Sequence, residues 1–132
     1  MMEEHSNVRV ARTAIEALVN GDTATLAAGI AEGAVWHVPG SNRLSGDLEG
    51  RERILDRGRE MTELGIQTSV DELHDVLGND EHVVALLTTT TTGPGGSSSQ
   101  HVCWVMHAKD GLATELWAHN WDQVAIDRVI GD

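Results

Sequence analysis

From residue 66 to residue 121 the chain is written almost entirely as strand and turn. Four runs, IQTSVDELHDVL, HVVALLTTTTT, SSQHVCWVMHAK and LATELWAHNW, are rich in Val, Thr, Leu and Trp. Such side chains suit a pleated, half-buried surface. The runs are broken by Gly78-Asn79-Asp80, by Gly93-Pro94-Gly95-Gly96 and by Asp110-Gly111. Connections this short join antiparallel neighbours, because a parallel pair needs a crossover of about a dozen residues or more. An antiparallel meander of four strands is therefore expected. Within TTTTTGPGGSSS the Thr half suits a strand and the Gly/Ser half a mobile hairpin loop without chemistry.

The first 65 residues read differently. Ser6 or Asn7 can cap a helix whose apolar positions Val8, Ala11, Ile15 and Leu18 follow helical spacing, and Asn20-Gly21 ends it. Asp22 can cap a short second helix through Leu26 and Ile30, closed by Gly33. A strand, VWHVP, and a glycine-punctuated loop come next. GRERILDRGREMTELG then reads as a third helix with Ile54, Met61 and Leu64 inward and Gly65 at its end. With no linker and no repeat, residues 1–132 are expected to form a single α+β domain whose helices pack on one face of a curved sheet.

Charge narrows the partners. Nine Lys and Arg face 21 Asp and Glu, a formal net charge of −12. So acidic a surface repels phosphate backbones and anionic lipids, so neither nucleic acid nor membrane is expected as a partner. No apolar run approaches the ~20 residues that span a bilayer. The acidic start MMEEHSNVRVAR lacks an apolar signal core, and the lone Cys103 has no disulfide partner in the chain. Both features suggest the cytoplasm.

The Asp110-Gly111 turn also predicts which side chains share a face. Asp-Gly favours a two-residue type I′ turn, pairing Lys109 with Leu112. Uninterrupted pairing then sets Met106 opposite Glu115, Trp104 opposite Trp117 and Val102 opposite His119. Paired residues project from the same side of a sheet. One face would carry Val102, Trp104, Met106, Trp117, His119 and Trp121. The other would carry His101, Cys103, Val105, His107, Leu116 and Ala118, a smaller and more mixed set suited to a subunit interface. A longer turn would slip the register by one and exchange the last strand's faces. On the first strand Trp36 and Val38 share a side. If Trp36 joins the Trp104 and Trp117 face, three of the four tryptophans converge on a cavity wall.

WHVPGSNRLSGDLEGRERIL, DELHDVLGNDEHVVALL and KDGLATELWAHNWDQVAID together resemble the SnoaL-like, ketosteroid-isomerase-related branch of the nuclear transport factor 2-like superfamily, over residues 8 to 130. The resemblance implies a cone: three N-terminal helices packed on a curved, mostly antiparallel sheet around an apolar pocket. It also implies a homodimer through the back of the sheet. Relatives include steroid isomerases, polyketide cyclases, epoxide hydrolases and dehydratases. The isomerase-type base position falls on Val38, the second acid near Trp104, and no tyrosine exists to serve as the third group. The cyclase and hydrolase positions on the last strand fall on Trp117 and His119 with a one-residue shift, or on Leu116 and Ala118 without it. The Arg-Asp pair of the epoxide hydrolases meets only Thr88 and Thr90.

These readings converge on a small-molecule enzyme acting on a hydrophobic, polyketide-, steroid- or terpenoid-like substrate by acid/base chemistry, with no cofactor expected. His119 is the catalytic candidate, since a half-buried imidazole among tryptophans can titrate near neutrality. Its plainer role is a hydrogen bond at an interface or strand end. Trp36, Val38, Val102, Trp104, Met106 and Trp117 are the substrate-binding candidates, against the plainer role of core. His37, His74, His101 and His107 read as strand-face residues, with no metal motif among them. Cys103 reads as an inert thiol, and Gly40, Gly46 and Gly50 form no phosphate loop. The alternative function is a non-catalytic protein of the same fold that binds hydrophobic ligands or pairs with a second copy.

Overall fold

The computed structural model describes residues 4–132. In chain order the elements are α1 (Ser6–Asn20), α2 (Thr23–Ala28), β1 (Ile30–Val38), β2 (Gly46–Glu49), α3 (Arg51–Glu63), β3 (Gln67–Gly78), β4 (His82–Gly93), β5 (Gly96–Lys109), β6 (Leu112–Asn120) and α4 (Gln123–Ile130). One curved sheet holds all six strands in the order β2-β1-β6-β5-β4-β3. Every neighbouring pair is antiparallel except β1 with β6. The α+β architecture is the expected one.

Local chemistry sets the helix ends. His5, not Ser6 or Asn7, caps α1, its Nδ1 accepting the Asn7 amide at 3.1 Å. Gly21 closes the helix in the left-handed region at φ +68°. Val8, Ala11 and Ile15 are buried, whereas Leu18 turns to solvent in the last turn. Asp22 caps α2 through the Thr25 amide at 3.1 Å, as expected. That helix stops at Ala28 rather than Gly33, because Ile30 already belongs to β1, where it is buried and lies beside Ala113 of β6. The loop after Gly40 contains the short β2, which pairs Leu48 with Trp36.

The Gly/Ser half of the low-complexity segment is not a mobile loop. Pairing runs to the tip, with Thr92 beside Ser97 and Gly93 beside Gly96. The turn is pinned to a fourth helix, α4, which the sequence reading did not include. The Gly95 amide donates to the Val129 carbonyl at 2.9 Å. A Cβ on Gly95 would lie 1.9 Å from the Arg128 carbonyl oxygen, so only glycine fits. Asp122 caps α4 through the Ala125 amide, and Ile126, Val129 and Ile130 are buried.

Three apolar clusters hold the helices to one side of the sheet. Val8, Ala11 and Ile15 of α1 meet Val76, Val83, Ala85, Leu87 and Met106. Ile54 of α3 meets Ile30, Ala34 and Leu48, with Trp36, Val38 and Leu116 against the edge of that cluster. Met61 and Leu64 pack against Leu44, Ile66, Ile126 and Ile130.

The hairpin from β5 to β6 begins as expected and then departs. Asp110 and Gly111 take φ values of +53° and +78°, and Lys109 pairs with Leu112 and Ala108 with Ala113. Beyond that point Thr114 is an unpaired extra residue, a β-bulge, and His107 pairs with Glu115. Every later partner is displaced by one. Met106 faces Leu116, Trp104 faces Ala118 and Val102 faces Asn120, correcting the pairings with Glu115, Trp117 and His119. The physical reason lies in Glu115. Without the bulge its carboxylate would enter the apolar core beside buried Met106, at a cost of several kcal/mol. With the bulge, Ala113 stays buried and Glu115 turns outward to meet His37.

Candidate functional site

The bulge sorts the predicted site residues onto two faces. The helix-covered inner face brings together Trp36, Val38, Val102, Trp104 and Met106, joined by Leu116, Ala118 and Asn120. Trp117 and His119, expected beside Trp104, stand on the outer face instead. Val102 and Met106 are buried, but Trp36, Val38, Trp104, Leu116 and Ala118 are only partly so. Part of an apolar sheet face on the side of the helices is thus incompletely covered. Among the described residues, the inner positions of β4, β5 and β6 carry neither a carboxylate nor an imidazole.

Two polar features border this face. Asn120, at the end of β6, donates to the Gln123 side chain at 2.9 Å, Gln123 donates to Asp127 at 2.9 Å, and Asn42 donates to the same Asp127 oxygen at 2.7 Å. Burial pushes the Asp127 carboxyl up, but the donors Gln123, Asn42 and Ser41 outweigh it and hold the group below its usual range. The second feature is Arg57. It stands on the buried side of α3, one turn past Ile54 and one turn before Met61, and is 4% exposed.

The outer face gathers every histidine except His5. His37 bridges two acids, Nε2 to Glu115 at 2.6 Å and Nδ1 to Asp47 at 2.8 Å. Glu115 first, then Asp47, raises its pKa above the ordinary histidine value. Trp117 stacks on His37 with ring centroids 5.2 Å apart and makes a T-shaped contact with His107 at 4.9 Å. His119 lines an open cleft of about 480 Å³ with His74, Leu86, His101, Cys103 and Trp121, which Leu87, Val102 and Asn120 of the inner face also border. His74 holds Thr88 at 2.7 Å and stacks on His101. Burial alone pushes the Cys103 thiol up, away from the reactive thiolate.

Because of the bulge, the sequence reading set Leu116 and Ala118 on the opposite face, as the unshifted alternative to Trp117 and His119, and it did not single out Asn120. It missed Arg57 although the signal was present: Ile54, Arg57, Met61 and Leu64 follow one helical stripe, and the arginine interrupts it.

Comparison with known proteins yields a match to the family model of the SnoaL-like domain over residues 11–116. Bal32a, from a soil-derived mobile gene cassette, is 31% identical with a TM-score of 0.85, over 95% of this chain and 96% of its own. An LEH-like epoxide hydrolase of M. tuberculosis is 20% identical with a TM-score of 0.70, over 93% of this chain and 86% of its own. TerC, co-crystallised with polyporic acid, is 20% identical with a TM-score of 0.80, over 96% and 98%. At that identity the last two share the fold alone. Among curated protein sequences none matches.

Proposed function

The chain belongs to the SnoaL-like family of the nuclear transport factor 2-like superfamily, and on that premise we propose that it binds a hydrophobic small molecule against the inner face of its sheet. One observation carries this reading: Trp36, Val38, Trp104 and Leu116 stay partly uncovered on the side that the helices roof. Walls that are mostly apolar, with few polar groups at their rim, are what a lipophilic ligand needs. A polyketide-, steroid- or terpenoid-like molecule fits better than a sugar or a phosphate ester.

A titration with the neutral probe 2-naphthamide, followed by tryptophan emission, tests it. Ala118 lies beside Trp104, so Ala118→Trp fills the site and should weaken binding about tenfold or more. His119→Ala should leave affinity within about twofold. Loss of binding on His119→Ala with none on Ala118→Trp would move the site to the outer cleft and overturn the reading.

A second reading makes the protein an enzyme of cyclase, isomerase, dehydratase or hydrolase type acting on that ligand. Likeness to an epoxide hydrolase favours it, as an analogy of fold. Among the described residues the inner positions of β4, β5 and β6 supply no carboxylate or imidazole, so this reading requires a proton carrier from elsewhere in the fold. Turnover of an apolar epoxide or a linear polyketone that Ala118→Trp abolishes would establish it.

We further propose a cytoplasmic homodimer joined by the outer face. No helix among the described residues is long and apolar enough to cross a membrane. Two copies at −12 each repel, and a face rich in histidines lets them approach. Trp121, 85% exposed, and Leu86 rim its cleft. Sedimentation of Trp121→Ser as a monomer, against a wild-type dimer, is the expected result. A wild-type monomer would refute it.

A further inference from the structure

Arg57 is the one charged side chain among the described residues that is buried, and its pairing is incomplete. Its Nε is sealed from solvent without a hydrogen-bond partner. The nearest acid is Glu60, whose Oε2 lies 3.6 Å from Nε, beyond hydrogen-bond range. That same oxygen already accepts from Arg53 at 2.9 Å, so two guanidinium groups share one carboxylate and a positive charge is left over. Burial lowers the Arg57 pKa, Glu60 opposes this and Arg53 adds to it. An arginine cannot relieve the strain by losing its proton. Buried guanidinium groups are normally met by carboxylates with two parallel bonds.

Position adds the second half. On α3, Arg57 interrupts an apolar stripe between Ile54, which packs on β1, and Met61, which packs towards α4. The helix thus holds this cation on the side that faces the sheet, where Trp36 and Val38 are incompletely covered.

We propose that Arg57 is the anion-binding residue of the interior site and that the ligand is an apolar molecule carrying a carboxylate. This rests on the reading that the interior takes a hydrophobic ligand. The apolar walls receive the body of the molecule, and the guanidinium receives its oxygen atoms.

Binding of 2-naphthoate and of decanoate, each beside its neutral amide, tests this in wild type, Arg57→Met and Arg57→Lys. Wild type should prefer each acid over its amide about tenfold or more. Arg57→Met should erase that preference while leaving amide binding within about twofold, and Arg57→Lys should recover part of it. Without ligand, Arg57→Met should melt at or above the wild-type temperature, because an apolar chain replaces an incompletely paired buried charge. Amides and acids bound alike, with no response to Arg57→Met, would overturn the role of Arg57 and leave the interior site standing. Failure of all four probes would overturn the interior site and this proposal together. A melting temperature lowered by more than about 5 °C in Arg57→Met would mark the residue as structural and overturn the proposal.

Discussion

Deleting Thr114 removes the extra residue of the bulge and makes the pairing of β5 with β6 continuous, with Ala113 still opposite Ala108 and Glu115 still opposite His107. Leu116, Ala118 and Asn120 therefore keep the inner face, and Trp117 and His119 the outer one. Two energies are at stake. The Glu115 bond to His37, 2.6 Å long and half-buried, is worth about 1 kcal/mol at such exposure. Keeping the Glu115 carboxylate away from Met106 avoids several kcal/mol more, about 4 as a working figure. Both are retained in the deletion, so its melting temperature should lie within about 5 °C of Thr114→Ala. Thr114→Ala is the control, since it keeps the extra residue and loses only a long hydrogen bond to the His107 carbonyl at 3.3 Å. A deletion that instead turned Glu115 inward would lose about 5 kcal/mol, a large part of the total stability of a chain this size, roughly 7–20 kcal/mol. At about 4 °C per kcal/mol that is a fall of about 20 °C. Circular dichroism melts of both variants, with near-ultraviolet spectra to report Trp117, give the comparison. If the deletion melts about 20 °C below Thr114→Ala, the outward place of Glu115 depends on the extra residue itself and the reasoning fails.

Three further outcomes are expected. Gly95→Ala drives a Cβ to within 1.9 Å of the Arg128 carbonyl oxygen and should cost about 3 kcal/mol, read as a melting temperature lower by about 10 °C; an unchanged melt would show that α4 does not pin the turn. Cys103, its thiol pushed up by burial, should react with Ellman's reagent at pH 7.5 more slowly than free glutathione, and a faster reaction would contradict that environment. His37 has a folded-state pKa raised chiefly by Glu115 and then by Asp47, so its stabilisation is complete below the unfolded value and is lost as pH rises through the folded one. The melting-temperature gap between wild type and His37→Gln should therefore be widest near pH 5.5 and close towards pH 9, and a gap that widens with pH would refute the assignment.

Much of this fold is legible in local chemistry. Asp22 and Gly21 act as expected because a cap or a left-handed end is decided within a few residues. The Asp110-Gly111 turn has its expected conformation for the same reason. The rest depends on distant partners. Thr114 becomes a bulge only because Ala113 must stay beside Ile30 while Glu115 must leave the core, and a short-range pairing rule sees neither. One warning was readable: uninterrupted pairing set Glu115 against Met106, a charge facing a core residue. The Ser and Gly run looked mobile until α4 supplied the surface that holds it. Five of the proposed ligand-shaping residues share the inner face, because alternation survives within each strand. Trp117 and His119 do not, because alternation does not survive a bulge.

The most direct test of the account is a crystal structure of the protein soaked with 2-naphthoate. The expected result is a naphthalene ring against Trp36, Trp104 and Leu116 with its carboxylate on Arg57. A ring lodged instead in the cleft of His119, Cys103 and Trp121, with the inner face unchanged, would contradict the account.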